Sequence, residues 1–286
     1  MGIIDFFAGS FGYILNALYN LFSNYGIAII LFTIVLKVVL LPLTIKQQTT
    51  MRKTSKLQVK IKAIQQKHKG NQEKITKETM DLYKSENMSP FSGCLSAIVQ
   101  IVLLLSVFFL VSKPLTHMKK LDSEVIQGYA EEIKLEENNG QLVYPEILII
   151  KEKGSTEEDV NINMEFLGLD LSSVPSQSWN TDFKVYIIPV LYVISSIISM
   201  RLATNMTRKA KEESGVEEAP KEKGEMDITE SMNKNMMIIM PVMSVIISFI
   251  APLGLALYWL INNLLMIAER IVIFKYLDKK EESNNA

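Results

Sequence analysis

Lys37 stands in the middle of LFTIVLKVVLLPLT (31–44), a stretch otherwise apolar enough to enter a bilayer. A lysine at the centre of a membrane span costs ~2.5–3.5 kcal/mol on insertion scales. Two arrangements would lower that cost. The side chain can snorkel, because Thr44 lies seven positions on, roughly 10 Å along a helix. Alternatively, the ammonium faces water held between helices. Thr33 shares the Lys37 face, Ser96 precedes Gln100 by one turn in a second apolar stretch, and Asn262 and Asn263 follow Trp259 at three- and four-residue spacing in another. A single polar residue of this kind is usually a bond between helices. Several of them together with a cation point to a shared hydrophilic cavity.

Catalytic chemistry has little to draw on. His68 and His117 are the two histidines, and both lie outside the apolar stretches. There is no HExxH, no glycine-rich phosphate loop and no GxSxG. A Ser–Lys dyad built on Lys37 is the one nucleophilic arrangement left open. Cys94 is the single cysteine, so neither a disulfide within the chain nor a cysteine metal cluster is available. The residues therefore predict a protein that is not an enzyme and needs no cofactor and no metal.

Whatever the polar residues do, long apolar helices must position them. The 286 residues are 48% hydrophobic yet 21% charged, and the two kinds alternate in blocks. That segregation is the mark of a multi-pass membrane protein. A net charge of -1 gives no reason to expect nucleic acid to bind directly. The N-terminus lacks the basic residues and cleavage site of a signal peptide, so the chain is expected to begin as it is used.

Spans are expected at 25–44, 91–112, 184–203, 235–251 and 255–276, the fourth being short. Before them, Ile14, Leu15, Leu18, Leu21 and Phe22 share a face within 1–24, which suits an amphipathic helix at the membrane surface or the first turns of a longer span. The segment 45–88 is rich in Lys and Arg, whereas in 113–183 acidic residues outnumber basic ones roughly two to one. The first is therefore placed in the cytoplasm and the second outside, with the N-terminus outside and the C-terminus inside. Leu57, Ile61 and Ile64 recur at helical spacing, Gly70-Asn71 interrupts, and Ile75, Thr79 and Leu82 resume. The pattern predicts a cytoplasmic hairpin of two helices with a thin apolar seam. The segment 113–183 reads as an extracellular subdomain with some strand content, its apolar run being EILII (146–150). Residues 204–234 and 277–286 read as a cytoplasmic loop and tail. The fold class expected is an all-α membrane protein: a five-helix transmembrane bundle with an N-terminal amphipathic helix and a cytoplasmic hairpin.

Taken in order, LLPLTIKQ (40–47), the basic hairpin, SPFSGCLSAIVQ (89–100) and APLGLALYWLINN (251–263) resemble the YidC family of membrane protein insertases, relatives of the mitochondrial Oxa and chloroplast Alb proteins. The resemblance is to a Gram-positive-like form without the large periplasmic domain. It departs from the family pattern at Lys37, where arginine is usual, and at Ser96 and Val102, where prolines are usual. It implies a protein of the bacterial plasma membrane that receives client segments in a cytosol-open groove and releases them sideways without ATP hydrolysis. Lys37, Thr33, Ser96, Gln100, Trp259, Asn262 and Asn263 would line that groove. The hairpin around Leu57, Ile61, Ile64, Ile75 and Leu82 would recruit clients. The implied partners are nascent membrane proteins and membrane lipids, with the Sec translocon and the ribosome as further ones. A channel or small-solute transporter using Lys37, and an assembly scaffold, are the competing readings.

Overall fold

The computed structural model describes residues 2–89, 92–136, 143–178, 182–212 and 242–285. The described residues are mostly helical. Its elements are α1 (Ile3–Phe22), α2 (Tyr25–Lys67), α3 (Gln72–Ser85), α4 (Ser92–Ser112), α5 (Ser123–Glu136), α6 (Pro145–Lys153), α7 (Ile187–Glu212), α8 (residues 242–250) and α9 (Leu253–Asn285). One two-stranded antiparallel pair, β1 (Glu165–Phe166) and β2 (Leu169–Asp170), turns through Leu167 and Gly168, both at positive φ. Among the described residues, Tyr25–Lys67, Phe183–Met206 and Leu253–Tyr276 are long and apolar enough to cross a membrane, and Ile98–Ser112 is a shorter apolar helix. The expected fourth span is described as helix over 242–250; the rest of it and most of the 204–234 loop lie outside the described residues.

Two segments run on beyond the sequence pattern, and one that the pattern left unassigned is helical. The expected first span and first hairpin helix form one continuous helix, α2, because between Tyr25 and Lys67 only Gly26, in the first turn, and Pro42 oppose helix. EILII is helical within α6, with Pro145 in the first turn and Lys151 and Lys153 in the last. A short apolar run fits either structure, and these flanking residues favour helix. Helix α9 runs on through Asn285, since no Gly or Pro follows Gly254.

The chain gathers into two compact units. The first comprises Met1–Val38, Ile101–Ile197 and Ile238–Leu265; the second comprises Val39–Gln100, Ile198–Met237 and Met266–Ala286. In the first, α1 packs against a turn of π-helix, Leu115–Lys119, that follows α4. The inward side of α1 is made of Ala8, Gly12 and Leu15, and its small residues let backbones approach. A Cβ on Gly12 would strike the His117 carbonyl. Many apolar side chains elsewhere on α1 are exposed, among them Ile3, Phe6, Ile14, Leu21 and Phe22; of the expected face, Leu15 is buried while Ile14, Leu21 and Phe22 are exposed. That distribution fits a helix that meets lipid.

The segment after α6 binds the ends of several helices. Ser23 takes the left-handed conformation at the end of α1, and Asn24 Oδ1 accepts from Ile27 N–H at the start of α2 (3.1 Å). Around this junction, Asn163 Nδ2 donates to the Ser23 carbonyl (3.0 Å), Tyr25 N–H to the Asn163 carbonyl (3.0 Å) and Asn24 Nδ2 to the Glu165 carbonyl (2.7 Å). The Leu253 and Gly254 amides at the start of α9 donate to the carbonyls of Ser173 and Leu171, both at 2.9 Å. Helix-end groups that a helix cannot satisfy internally thereby find partners.

Gly12→Val is expected to push α1 from the π-helical turn and destabilise this docking by about 1–3 kcal/mol. Gly128→Val on α5 should leave it unchanged, because nothing lies within 4 Å of a Cβ there. Hydrogen exchange of the α1 amides, faster in the first variant alone, checks both.

Candidate functional site

Within α2, Tyr25, Ala28, Ile29, Phe32, Thr33 and Leu36 form the buried stripe, while Ile34, Val35, Val38 and Val39 are exposed. Lys37 is half-buried, one turn beyond Thr33 at the margin of that stripe. Thr33 is almost fully buried, and its hydroxyl donates to the Ile29 carbonyl of its own helix at 2.6 Å. Just beyond Lys37, Pro42 has no N–H to offer the Val38 carbonyl, so the helix ladder lacks one bond in this turn.

Trp259 and Asn263 project one turn apart from α9 and meet α7. Asn263 is 5% exposed, and its Nδ2 donates to Ser195 Oγ at 3.0 Å and Ser196 Oγ at 3.3 Å. Ser195 Oγ in turn donates to the Tyr192 carbonyl at 2.9 Å. The Tyr192 and Trp259 rings lie 6.1 Å apart, tilted by 31°. Asn262 is half-buried. These side chains form a polar seam between two helices. Sequence reasoning singled out Asn263 but not the serines; their clustering in SSIIS (195–199) was the available signal.

Gln100, in the second unit, is exposed on α4, and the Ser96 side chain lies outside the described residues. The same unit holds a residue that the sequence pass overlooked. Arg270 of α9 donates through Nη1 to the Ser199 carbonyl and Oγ on α7, at 3.2 and 3.1 Å. Its signal was spacing, since Arg270 follows Asn263 by seven positions, two helical turns. Arg52 also stacks here, its guanidinium 5.2 Å from the Phe274 ring centre.

The second unit also contains the basic hairpin. The α2 end and α3 are joined by Gly70, at φ +84°, and by Asn71, whose side chain accepts from Lys74 N–H at 3.1 Å as an N-cap. Leu57 is buried, but Ile61, Ile64, Ile75 and Leu82 are half-buried, and α3 buries no residue fully. Polar pairs supplement the thin seam: Lys60–Glu86 at 2.6 Å, His68–Glu78 at 2.7 Å and Lys67–Glu78 at 3.3 Å. The His68 hydrogen bond, with Lys67 beside it, holds the Glu78 carboxyl below its ordinary value of 4.5.

A model of the 60Kd inner membrane protein family matches residues 17–281. The chain belongs to this family. Among its relatives is a "Membrane protein insertase YidC" of Syntrophobacter fumaroxidans, 29% identical over 269 residues, covering 94% of this chain and 38% of the relative. A protein of the same name from Fusobacterium nucleatum is 26% identical over 263 residues and covers 92% of each chain. Another, from Buchnera aphidicola, is 25% identical over 270 residues, covering 93% of this chain and 36% of the relative. This member of the family thus spans less than two-fifths of two of these relatives and nearly the whole length of the third. The family match and the apolar helices make it a bacterial multi-pass membrane protein.

Two outcomes follow from the contacts. Asn263→Ala and the double change Ser195→Ala/Ser196→Ala should be non-additive in thermal stability, with a coupling of about 0.5–1.5 kcal/mol. A double-mutant cycle on detergent-purified protein measures it. For the hairpin, a carboxyl with a lowered folded pKa stabilises above its unfolded pKa and loses that effect as pH falls through the folded one. Exchange protection at the hairpin tip should therefore hold from neutral pH down to about 4.5 and fall below it, and Glu78→Gln should reduce it at neutral pH.

Proposed function

We propose that this protein is a membrane protein insertase that acts without ATP hydrolysis and takes nascent membrane proteins as clients. The observation that carries this reading is the family match along almost the whole chain, 17–281. The names of the relatives agree with it. The charge pattern supports an orientation with the N-terminus outside and the C-terminus in the cytoplasm, and the apolar blocks support five spans.

Lys37 has the chemistry for the central step. A polar client segment crossing hydrocarbon must give up water, and an acidic side chain gives up most. A cation part-way along the apolar portion of α2 attracts that segment where the local dielectric is low. Thr33, Trp259, Asn262 and Asn263 are proposed to line the receiving groove. Once polar residues have passed, the client's apolar helix leaves sideways because its surface is better accommodated by lipid.

The hairpin is suited to first contact. Its half-buried seam and surface ion pairs give it few apolar contacts to hold it rigid, so opening costs little. Arriving chains would then meet Leu57, Ile61, Ile64, Ile75 and Leu82 as a surface that rearranges. The Sec translocon and the ribosome are proposed as further partners.

Reconstituted liposomes test the charge. Lys37→Ala should reduce insertion of a client with an acidic translocated tail by about tenfold, the equivalent of ~1.4 kcal/mol in the barrier, while Lys37→Arg retains it. Equal insertion by all three proteins would remove Lys37 from the mechanism.

A further inference from the structure

The first residues after α4 reverse the charge of the segment they begin. Residues 113–121 carry Lys113, Lys119 and Lys120 and no carboxylate, whereas the acidic side chains of 113–183 all follow Leu121. A segment expected outside the membrane gains nothing in topology from lysines at its edge. Their placement calls for another explanation.

The first unit shows where they sit. The Tyr25 hydroxyl donates to the Val111 carbonyl at 3.3 Å, so the start of α2 and the end of α4 lie at one level. Just beyond that level, the π-helical turn packs on α1 and brings the lysines to aromatic rings. Lys120 Nζ lies 4.5 Å from the Tyr13 ring centre, Lys119 Nζ 6.0 Å from Tyr19 and Lys113 Nζ 5.3 Å from Phe109. Lys120 also donates to the Gly9 carbonyl at 2.9 Å, which fastens α1. Lys113 and Lys120 are exposed and Lys119 is half-buried. His117 adds no fixed charge, because burial, then Lys120, lowers its pKa from the ordinary 6.5. Asp5, the carboxylate of α1, is engaged with the Gly2 amide at 3.3 Å.

We infer that Lys113, Lys119 and Lys120, with the exposed apolar side of α1, bind the phosphate headgroup of an anionic phospholipid in the leaflet on the α1 side. Charge complementarity selects the headgroup, since ammoniums at a membrane edge attract phosphodiesters. Tyrosines and lysine stems are amphipathic and suit the interfacial depth. Phe6, Tyr13 and Leu21, all strongly exposed, supply apolar surface for the acyl chains. A soluble acidic partner would have no use for that apolar side. The inference does not depend on insertase activity; it concerns a lipid site that would be present in any role.

Photoreactive phosphatidylglycerol and photoreactive phosphatidylcholine, each in nanodiscs holding the full chain, provide the test. Cross-linked peptides are mapped by mass spectrometry. Labelling of residues 1–22 and 113–121 should favour phosphatidylglycerol by on the order of tenfold, consistent with two or three lysines near a headgroup. Lys113→Gln with Lys119→Gln should remove most of that preference while Lys120 keeps α1 in place, as α1 hydrogen exchange would report. Equal labelling by the two lipids, or labelling unchanged in the double variant, overturns the inference. So does competition by soluble glycerol phosphate, which would show a site for free phosphate. Labelling confined to the basic hairpin would likewise overturn it.

Discussion

A polar group inside hydrocarbon has no water as an alternative partner, and this constraint sorts the side chains of the apolar helices. Most hydroxyls meet it locally. Thr33 donates to Ile29, Ser106 to Val102, Ser112 to Phe108 and Ser248 to Val245, each to a carbonyl three or four residues back. An amide is too rich in donors and acceptors for that solution. Asn263 therefore reaches across to Ser195 and Ser196, and the need for partners becomes a bond between α9 and α7. A charge is different again, because hydrogen bonds alone do not cancel its desolvation. Lys37 belongs to this last class, half-buried on α2.

Helix ends obey the same constraint outside the apolar stretches. The segment 161–178 has little regular structure, yet it places a donor where α1 ends and acceptors where α2 and α9 begin. Asn163 serves twice, by side chain to Ser23 and by backbone to Tyr25. Glu146 shows how far this goes. Its buried carboxylate accepts from Thr116 N–H at 3.0 Å and Thr116 Oγ1 at 2.6 Å, tying α6 to the π-helical turn. Burial raises its pKa and these donors oppose the rise.

Local chemistry made much of this legible from sequence. Gly70-Asn71 breaks the hairpin because glycine accepts positive φ and asparagine caps a helix, and neither depends on distant residues. The apolar stretches 25–44, 184–203 and 255–276 were legible because length and hydropathy suffice to mark a helix able to span. EILII was ambiguous because five apolar residues contain less than two helical turns. The polar residues Thr33 and Asn263 were visible as exceptions, but their partners were not. A hydroxyl can bond its own helix or another with equal ease, and only the packing of α7 on α9 decides. Arg270 was passed over because it stands near the end of a span, where a charge looks ordinary.

Arg270 and Lys37 also separate two uses of positive charge. The planar guanidinium of Arg270 reaches two acceptors of one residue, Ser199 O and Oγ, within 3.2 Å of a single nitrogen. Such fixed directionality suits an arginine that joins α7 to α9. An ammonium on a flexible stem has no planar, fixed set of donors, and its attraction is nearly independent of direction. A residue that must attract many different client segments gains from that indifference, since no single acceptor geometry recurs among them. Under the role proposed for Lys37, an arginine at that position would add a preference for paired oxygens; lysine keeps the charge without it.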